Sequence, residues 1–354
     1  MSKKNKPRGR KRFQAAEPDP APPPPPDKPA STLTKTQKRK LQKKRQAANR
    51  PLPTPKAAAA NAPLSSLAVL HEDAHVIAIN KPAGMPCHGA VAGERGTVVD
   101  ALAARERTTD FSELASDMLE ARRAPTGEAD SFIPRCIVHR LDKGTTGLLL
   151  VAKTERAEDA LGAAFRRHAS MSKRYVALLC GRPRASAVGV DASDGGATLH
   201  VDAPIGRDPQ RPGKMRVAHE PDAKHAQSVV RVHAVSGGGG SGSAGSDGGE
   251  LCLVTVELLT GRSHQIRVHC AHALGAPLAN DDAYGGTRLA GIGRARPMLH
   301  AWAMDVQHPA AVDARAPPLC VRAPLPDDMR RLVHEHFPGL PGDDPGGWPL
   351  STVT

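Results

Sequence analysis

An aspartate at position 142 sits in the run CIVHRLDKGTTGLLLVAKT, between Arg140 and Lys143 and followed by Gly144 and Gly147. Neighbouring cations favour the charged form of a carboxyl group, and an ionised carboxylate acts as a nucleophile or a base. Two nearby glycines let the chain turn sharply and let a substrate approach. On spacing alone, capping a turn is the commoner use of a loop aspartate. A second candidate is GRSHQIRVH, residues 261–269. At about 100° per residue, a helix here places His264, Arg267 and Ala271 on one face and Ile266, Cys270 and Ala273 on another. Arginine at a helix N-terminus is an anion site, for a phosphate or for a carboxylate such as that of Asp142. Without further knowledge, a surface helix with solvated arginines is the plainer account. His264, His269 and His272 do not read as a metal site, because His269 leaves the face of the other two and neither Cys nor carboxylate completes a tetrahedral set. They read as polar or RNA-facing histidines. Tyr175, one of two tyrosines, alternates with Ala177 in KRYVALLCG. It is either a half-buried packing residue or a flat ring on which a base could stack.

These side chains need elements to hold them. LAVLHEDAHVIAINKPAG reads as two strands split by the HEDAH turn and ended by Lys-Pro-Ala-Gly. TVVDALAARER (97–107) reads as a helix capped by Thr97. Residues 108–132 read as an insertion with some helix. Ile137 and Val138 end a strand, residues 139–147 form a polar loop, and 148–152 form an apolar strand. ERAEDALGAAFRRH has helical spacing, and KRYVALLCG is a strand stopped by Gly181. Residues 182–224 read as loop-rich. AQSVVRVHAV and LCLVTVELL are strands joined by the Gly/Ser-rich insertion 236–249, which cannot pack and bridges neighbours as a surface loop. SHQIRVHCAHALG is a helix capped by Ser263 and ended by Gly275 and Pro277. The irregular order of strands and helices favours an α+β mixed sheet over a doubly wound parallel one.

Charge is distributed unevenly. The chain of 354 residues has 49 Lys and Arg against 36 Asp and Glu; residues 1–63 alone carry 17 and 3 of these. The remainder is therefore nearly neutral, which excludes a uniformly cationic histone-like or ribosomal-protein-like domain. KKNKPRGRKR, APPPPPDKP and KTQKRKLQKKRQ have almost nothing to bury and read as a disordered basic, Pro-rich tail over 1–63. Such a tail serves as an electrostatic arm for nucleic acid, a nuclear or nucleolar address or a targeting peptide. The folded region is assigned to 64–330, with 331–354 as a C-terminal tail. It is large enough for a real core. No stretch approaches the ~20 apolar residues of a membrane-spanning helix. Six dispersed cysteines without a CxxC pair fit reduced thiols in a reducing compartment, and no apolar signal segment opens the chain.

AINKPAGMPCHG (78–89), VHRLDKGTTGLLLVAKT (138–154), KRYVALLCG (173–181), LLTGRSHQIRVHCAHALGAPLANDDAYGG (258–286) and MLHAWAMDVQHP (298–309) occur in this order. Together they resemble the RluA-like pseudouridine synthases, which isomerise uridine to pseudouridine in ribosomal or transfer RNA. The resemblance spans about residues 67–326, and the paired HRLD and GRxHQIR elements are its most specific part. It implies an α+β domain with a long mixed, mostly antiparallel sheet, flanking helices and a central active-site cleft. It implies an RNA partner, neither cofactor nor metal, and a chain expected to work as a monomer. Asp142 matches the family's aspartate nucleophile. Tyr175 matches the tyrosine that contacts the uracil and assists proton removal from C5. Arg267 matches the arginine paired with the catalytic carboxylate, and Arg140 one that helps fill the gap left by an extruded base. Arg262 and His264 carry over only as RNA or phosphate contacts.

The sequence also departs from the pattern. Residues 1–63 do not resemble the S4-type RNA-binding domain of many bacterial members. Asn280 in ANDDAYGG replaces the commoner glycine, which puts the backbone geometry of that loop in question. A non-catalytic RNA-binding or ribosome-assembly protein keeping the fold is the alternative, but it has no need of Asp142, Tyr175 and Arg267 together. An aspartate-based nucleosidase wants a second carboxylate, which neither signature motif supplies. The proline run and the Ala/Gly-rich stretches favour a eukaryotic chain working in an organelle, plastid or mitochondrion, or in the nucleus.

Overall fold

The computed structural model describes residues 67–89, 96–106, 121–123, 132–134, 136–167, 171–187, 189–236, 249–290, 292, 296–311 and 317–351. The basic tail over 1–63 lies outside them. Strand β1 (Ala68–Glu72) pairs antiparallel with β2 (Val76–Lys81), and the HEDAH turn between them is closed by the Asp73 carboxylate. It accepts from the backbone N–H groups of His75 and Val76 at 2.7 and 2.9 Å. Helix α1 (Val98–Glu106) starts as expected at Thr97. The Thr97 hydroxyl accepts from Asp100 N–H (3.1 Å) while the Asp100 carboxylate accepts from Thr97 N–H (3.0 Å), which satisfies two N-terminal donors reciprocally.

Within the 108–132 insertion, the described residues form strand instead of helix. β3 (Ala121–Arg123) pairs antiparallel with β4 (Phe132–Pro134). The apolar run behind Asp142 becomes β5 (Thr146–Ala152), buried along its whole length. Ile137 and Val138, expected at a strand end, lie in irregular chain. Helix α2 (Glu155–Arg167) and strand β6 (Met171–Cys180) follow. The segment 182–224, read as loop, holds four strands: β7 (Val190–Ser193), β8 (Thr198–Asp202), β9 (Ile205–Arg207) and β10 (Met215–Val217). Runs of three to five residues carry too little alternation to be told from loop. β11 (Gln227–Val235) and β12 (Leu251–Leu258) pair antiparallel across the Gly/Ser insertion, so it bridges neighbours as its composition implies; residues 237–248 of it lie outside the described ones.

GRSHQIRVHCAHALG is not one regular helix. A single turn, α3 (Gln265–Val268), runs into a π-helical turn, His269–Ala273, and ends at Gly275 with φ 66°. Ser263 does not cap it; the residue before α3 is His264, left-handed at φ 57°. Two more strands, β13 (Leu299–Val306) and β14 (Leu319–Arg322), and helix α4 (Asp327–His336) complete the chain.

The main sheet runs β1-β2-β5-β13-β6-β12-β11-β8-β7, with β14 on β13. Only β5 and β13 pair in parallel among its described neighbours. Alternation splits β6 between two cores. Tyr175, Ala177 and Leu179 pack on one face with Leu141 and Ile266, whereas Val176 and Leu178 pack on the other. That second face corrects the sequence reading of 331–354 as a tail. Leu332, Val333, Phe337 and Trp348 are buried against it, and Trp348 Nε1 donates to Gly342 O at 3.0 Å. A sheet with two apolar faces needs a cover on each, and the C-terminal segment is one of them.

Two fully buried histidines pin the layers. His269, expected to face RNA, instead bonds Ser228 Oγ and Ala203 O, each at 3.0 Å. His300 bonds Thr146 Oγ1 at 2.9 Å and Ala323 O at 3.2 Å. Burial lowers both pKa values from 6.5 to about 4. A histidine whose folded pKa is depressed binds fewer protons than in the unfolded chain, so stability falls as pH drops from 6.5 towards 4. Denaturant titrations at pH 7.5 and 5.0 are expected to show this loss, at about 1.4 kcal/mol per pH unit for each histidine. Equal midpoints would contradict it.

Candidate active site

The loop bearing Asp142 is held from both sides. Before it, His139 Nε2 accepts from Leu150 N–H at 2.8 Å and the ring stacks on Phe165 with centroids 4.4 Å apart. Burial, then Lys173, lowers the His139 pKa to about 3, leaving the imidazole neutral for that acceptor role. Behind the loop, Gly147 has φ +107°, and a Cβ there would meet Ala301 O at 2.2 Å. The expectation that this glycine admits substrate is therefore replaced: it lets β5 close against β13.

From below come Lys81 and Cys87. The Lys81 ammonium is fully buried and donates to the carbonyls of Pro82 (3.0 Å), Met85 (2.8 Å) and Lys143 (3.4 Å). Burial lowers its pKa to about 8, opposed by the negative potential of Cys87 and Asp142. The Cys87 thiol donates to Leu141 O at 3.4 Å, and its sulfur accepts from Leu141 N–H at 3.3 Å. The residues on either side of Asp142 are thus fixed by the NKPAGMPC segment.

Arg267 joins this loop to α3. Its Nη1 donates to Asp142 Oδ2 at 3.3 Å. Its Nε and Nη2 donate to the two oxygens of Asp281 at 2.8 and 2.7 Å. Burial works against the guanidinium charge, but Asp281 and then Asp142 more than offset it and hold the Arg267 pKa above its usual value. The Arg267 guanidinium carbon also lies 4.8 Å from the centre of the Tyr284 ring, within cation–π range. Asn280, whose identity put this loop in question, adopts φ 60°; asparagine tolerates that region better than most residues. Its Oδ1 accepts from Leu289 N–H at 2.6 Å. Gln265 anchors α3 by donating to Gln227 O and Ser228 Oγ and accepting from Thr260 Oγ1 and Arg262 N–H.

A cleft opens above these groups, lined by Leu141, Asp142, Thr145, Tyr175, Leu258, Arg262, His264, Gln265, Ile266, Arg267 and Leu299. Apolar walls with a few convergent polar groups are the usual make-up of a small-molecule site. Burial, and next the charge of Asp142, pushes the Tyr175 pKa well up, so the phenol keeps its proton. Five of the six side chains singled out in the sequence meet here: Asp142, Tyr175, Arg262, His264 and Arg267. Arg140 is exposed and does not line the cavity.

Sequence reasoning passed over Lys81, Cys87, Asp281 and Tyr284. Lys81 had a signal, a cation ending the apolar run VIAIN. Asp281 has no signal of its own in the sequence, and only the fold brings it onto Arg267. Asp281 is almost fully buried, and removing one partner of a buried pair strands the other charge. Asp281→Asn is expected to cost about 3–5 kcal/mol in urea unfolding; a loss below about 1 kcal/mol would mean that Arg267 does not depend on it.

Comparison with known proteins identifies the family. The family model described as RNA pseudouridylate synthase matches residues 75–272. The chain is 31% identical over 314 residues to the protein named RNA pseudouridine synthase 2, chloroplastic, of Oryza sativa subsp. japonica, covering 76% of this chain and 64% of that protein. It is 33% identical over 276 residues to ribosomal large subunit pseudouridine synthase D of Nitrosomonas europaea, covering 75% and 64%. The chain therefore spans less than two thirds of the length of these relatives. A solved structure, Human RNA Pseudouridylate Synthase Domain Containing 4, superposes with a TM-score of 0.50 at 24% identity, over 75% of this chain and 92% of that one; it shares the fold. Since the matched segment covers more than half of the sequence and runs from before Lys81 to beyond Arg267, the chain belongs to the RNA pseudouridylate synthase family.

Proposed function

We propose that this protein is an RNA pseudouridine synthase that converts a uridine within RNA to pseudouridine. One observation carries the reading: the Asp142 carboxylate, held at 3.3 Å by Arg267, lines one cavity with Tyr175. In the reaction the C1′–N1 bond breaks, the uracil turns and C1′ bonds to C5. The C5 hydrogen leaves as a proton and N1 ends protonated, so no external reactant is consumed. A structured uridine must first leave its stack, at a cost of a few kcal/mol, and the cavity receives it.

Asp142 acts at the junction of sugar and base. Attack on C1′, removal of a sugar proton and addition to C6 each require an aimed carboxylate, and Arg267 with the Lys81–Cys87 support does the aiming. Tyr175 offers a face to the uracil. Because its phenol keeps its proton, it assists loss of the C5 proton only by passing one through its hydroxyl. Arg262 and His264 contact the substrate at the cavity wall. Exposed Arg140, two residues before Asp142, suits the gap left by the extruded base.

Neither alternative fits these side chains as well. A binding module has no use for a buried support built around one carboxylate. A hydrolase needs a free carboxylic acid beside Asp142, and Asp281 is committed to Arg267 by two hydrogen bonds. Relatives named for the ribosomal large subunit support ribosomal RNA as the substrate. Relatives from two plants named chloroplastic support a plastid address.

Carbodiimide mapping of RNA incubated with wild type and Asp142→Ala is expected to show pseudouridine only with wild type, a loss of more than about 1,000-fold. Equal signal from both would eliminate the enzyme. The 17 basic and 3 acidic side chains of residues 1–63 support an RNA arm. Deleting them is expected to weaken RNA binding and flatten the dependence of log K on log salt; an unchanged slope would count against the arm.

A further inference from the structure

One polar group of the cavity wall, so far given only as a substrate contact, has a defined geometry. His264 is left-handed at φ 57°, a conformation that non-glycine residues keep only where the surroundings impose it and that clusters at functional sites. Here the imposing contacts are Gln265 N–H to Arg262 O at 3.1 Å and Val268 N–H to His264 O at 2.9 Å. The turn aims the ring into the cavity. Its Nδ1 lies 2.7 Å from the Tyr284 hydroxyl, and its Nε2 lies 3.8 Å from Asp142 Oδ2.

Hydrogen bookkeeping decides which nitrogen carries the proton. The Tyr284 oxygen already accepts from Met215 N–H at 2.9 Å. A phenol has one hydrogen to give, and His264 Nδ1 is the acceptor recorded within reach. Tyr284 O–H therefore donates to Nδ1, and the imidazole N–H sits on Nε2. The acceptor recorded nearest Nε2, Asp142 Oδ2, is beyond hydrogen-bond range. A donor of fixed direction thus stands at the cavity wall, one short gap from the nucleophile. Of the two cations there, Arg267 is committed to two carboxylates and Arg262 gives its Nε to His225 O at 2.8 Å.

We propose that His264 presents Nε2–H to a carbonyl oxygen of the extruded uracil and is a specificity-determining residue of this site. Where that oxygen is O4, cytosine, which keeps O2 but carries an amino group at C4, meets donor with donor and is refused. The inference rests on the isomerase reading above and adds the group that recognises the base. Tyr284 acts through His264 and is a positioning residue.

The test has two arms. In the free protein, the ¹⁵N shifts of His264 are expected to show a protonated Nε2 and a bare Nδ1 in wild type, and a mixture of tautomers in Tyr284→Phe. A protonated Nδ1 in wild type would overturn the proposal. In the second arm, ribosomal RNA transcripts carry uridine, 2-thiouridine or 4-thiouridine, and conversion is followed by nucleoside chromatography. Sulfur is a poor acceptor, so one of the two thio substitutions is expected to slow wild type by about 10-fold, and which one tells which carbonyl is read. His264→Asn tolerates the left-handed backbone but is too short to reach. It is expected to lose about 10- to 100-fold on uridine and to respond less than about twofold to either sulfur. His264→Asn within twofold of wild type, or wild type indifferent to both sulfurs, would overturn the inference and leave the isomerase standing. Wild type inactive on every transcript would remove both.

Discussion

One guanidinium shared between two carboxylates sets the geometry of this protein. Arg267 reaches Asp142 with a single N–H and Asp281 with two. The unequal split assigns different work to the two acids. Asp281, deeply buried and bonded by a parallel fork, fixes the plane of the guanidinium. Asp142, partly exposed and held by one longer bond, stays available to a substrate. Paired with one aspartate alone, Arg267 would be less well held or less useful.

The rest of the fold can be understood as support for that contact. β6 turns Tyr175 to the face that carries Leu141 and Ile266. The buried ammonium of Lys81 gathers three carbonyls, one of them next to Asp142. A fully enclosed lysine whose recorded partners among the described residues are carbonyls is costly to keep, and its position under the Asp142 loop accounts for its being kept. Gln265 performs the same office for α3, with four hydrogen bonds from one amide.

Much of this was legible in the sequence, at the places where residue type and chemistry coincide. Asp142 between cations, Arg267 at a helix start and Tyr175 in a strand were visible from pattern and resemblance, and long apolar strands such as β5 announced themselves. What stayed hidden depends on contacts distant in sequence. Asp281 acquires meaning only because Asn280 takes a left-handed turn. His269 was read as RNA-facing, yet helical spacing puts it nearer Ile266 than His264, and its partners Ser228 and Ala203 lie far off in the sequence. The C-terminal segment, read as a tail, holds Trp348 among Gly and Pro, and only the fold shows what that ring packs on. Yet Met329, Leu332 and Val333, spaced three and four apart, did carry a helical signal for one buried face.

Strand order has a consequence for how the molecule comes into being. β5 and β6 are consecutive along the chain, yet β13 lies between them, paired with both. Asp142 belongs to the side that ends in β5, and Tyr175 and Arg267 belong to the side that begins with β6. β13, which follows both sides along the chain, is therefore the seam between them. Until residues 299–306 leave the ribosome, the two sides have no common edge. The nascent chain holds all its reactive groups long before they can face one another.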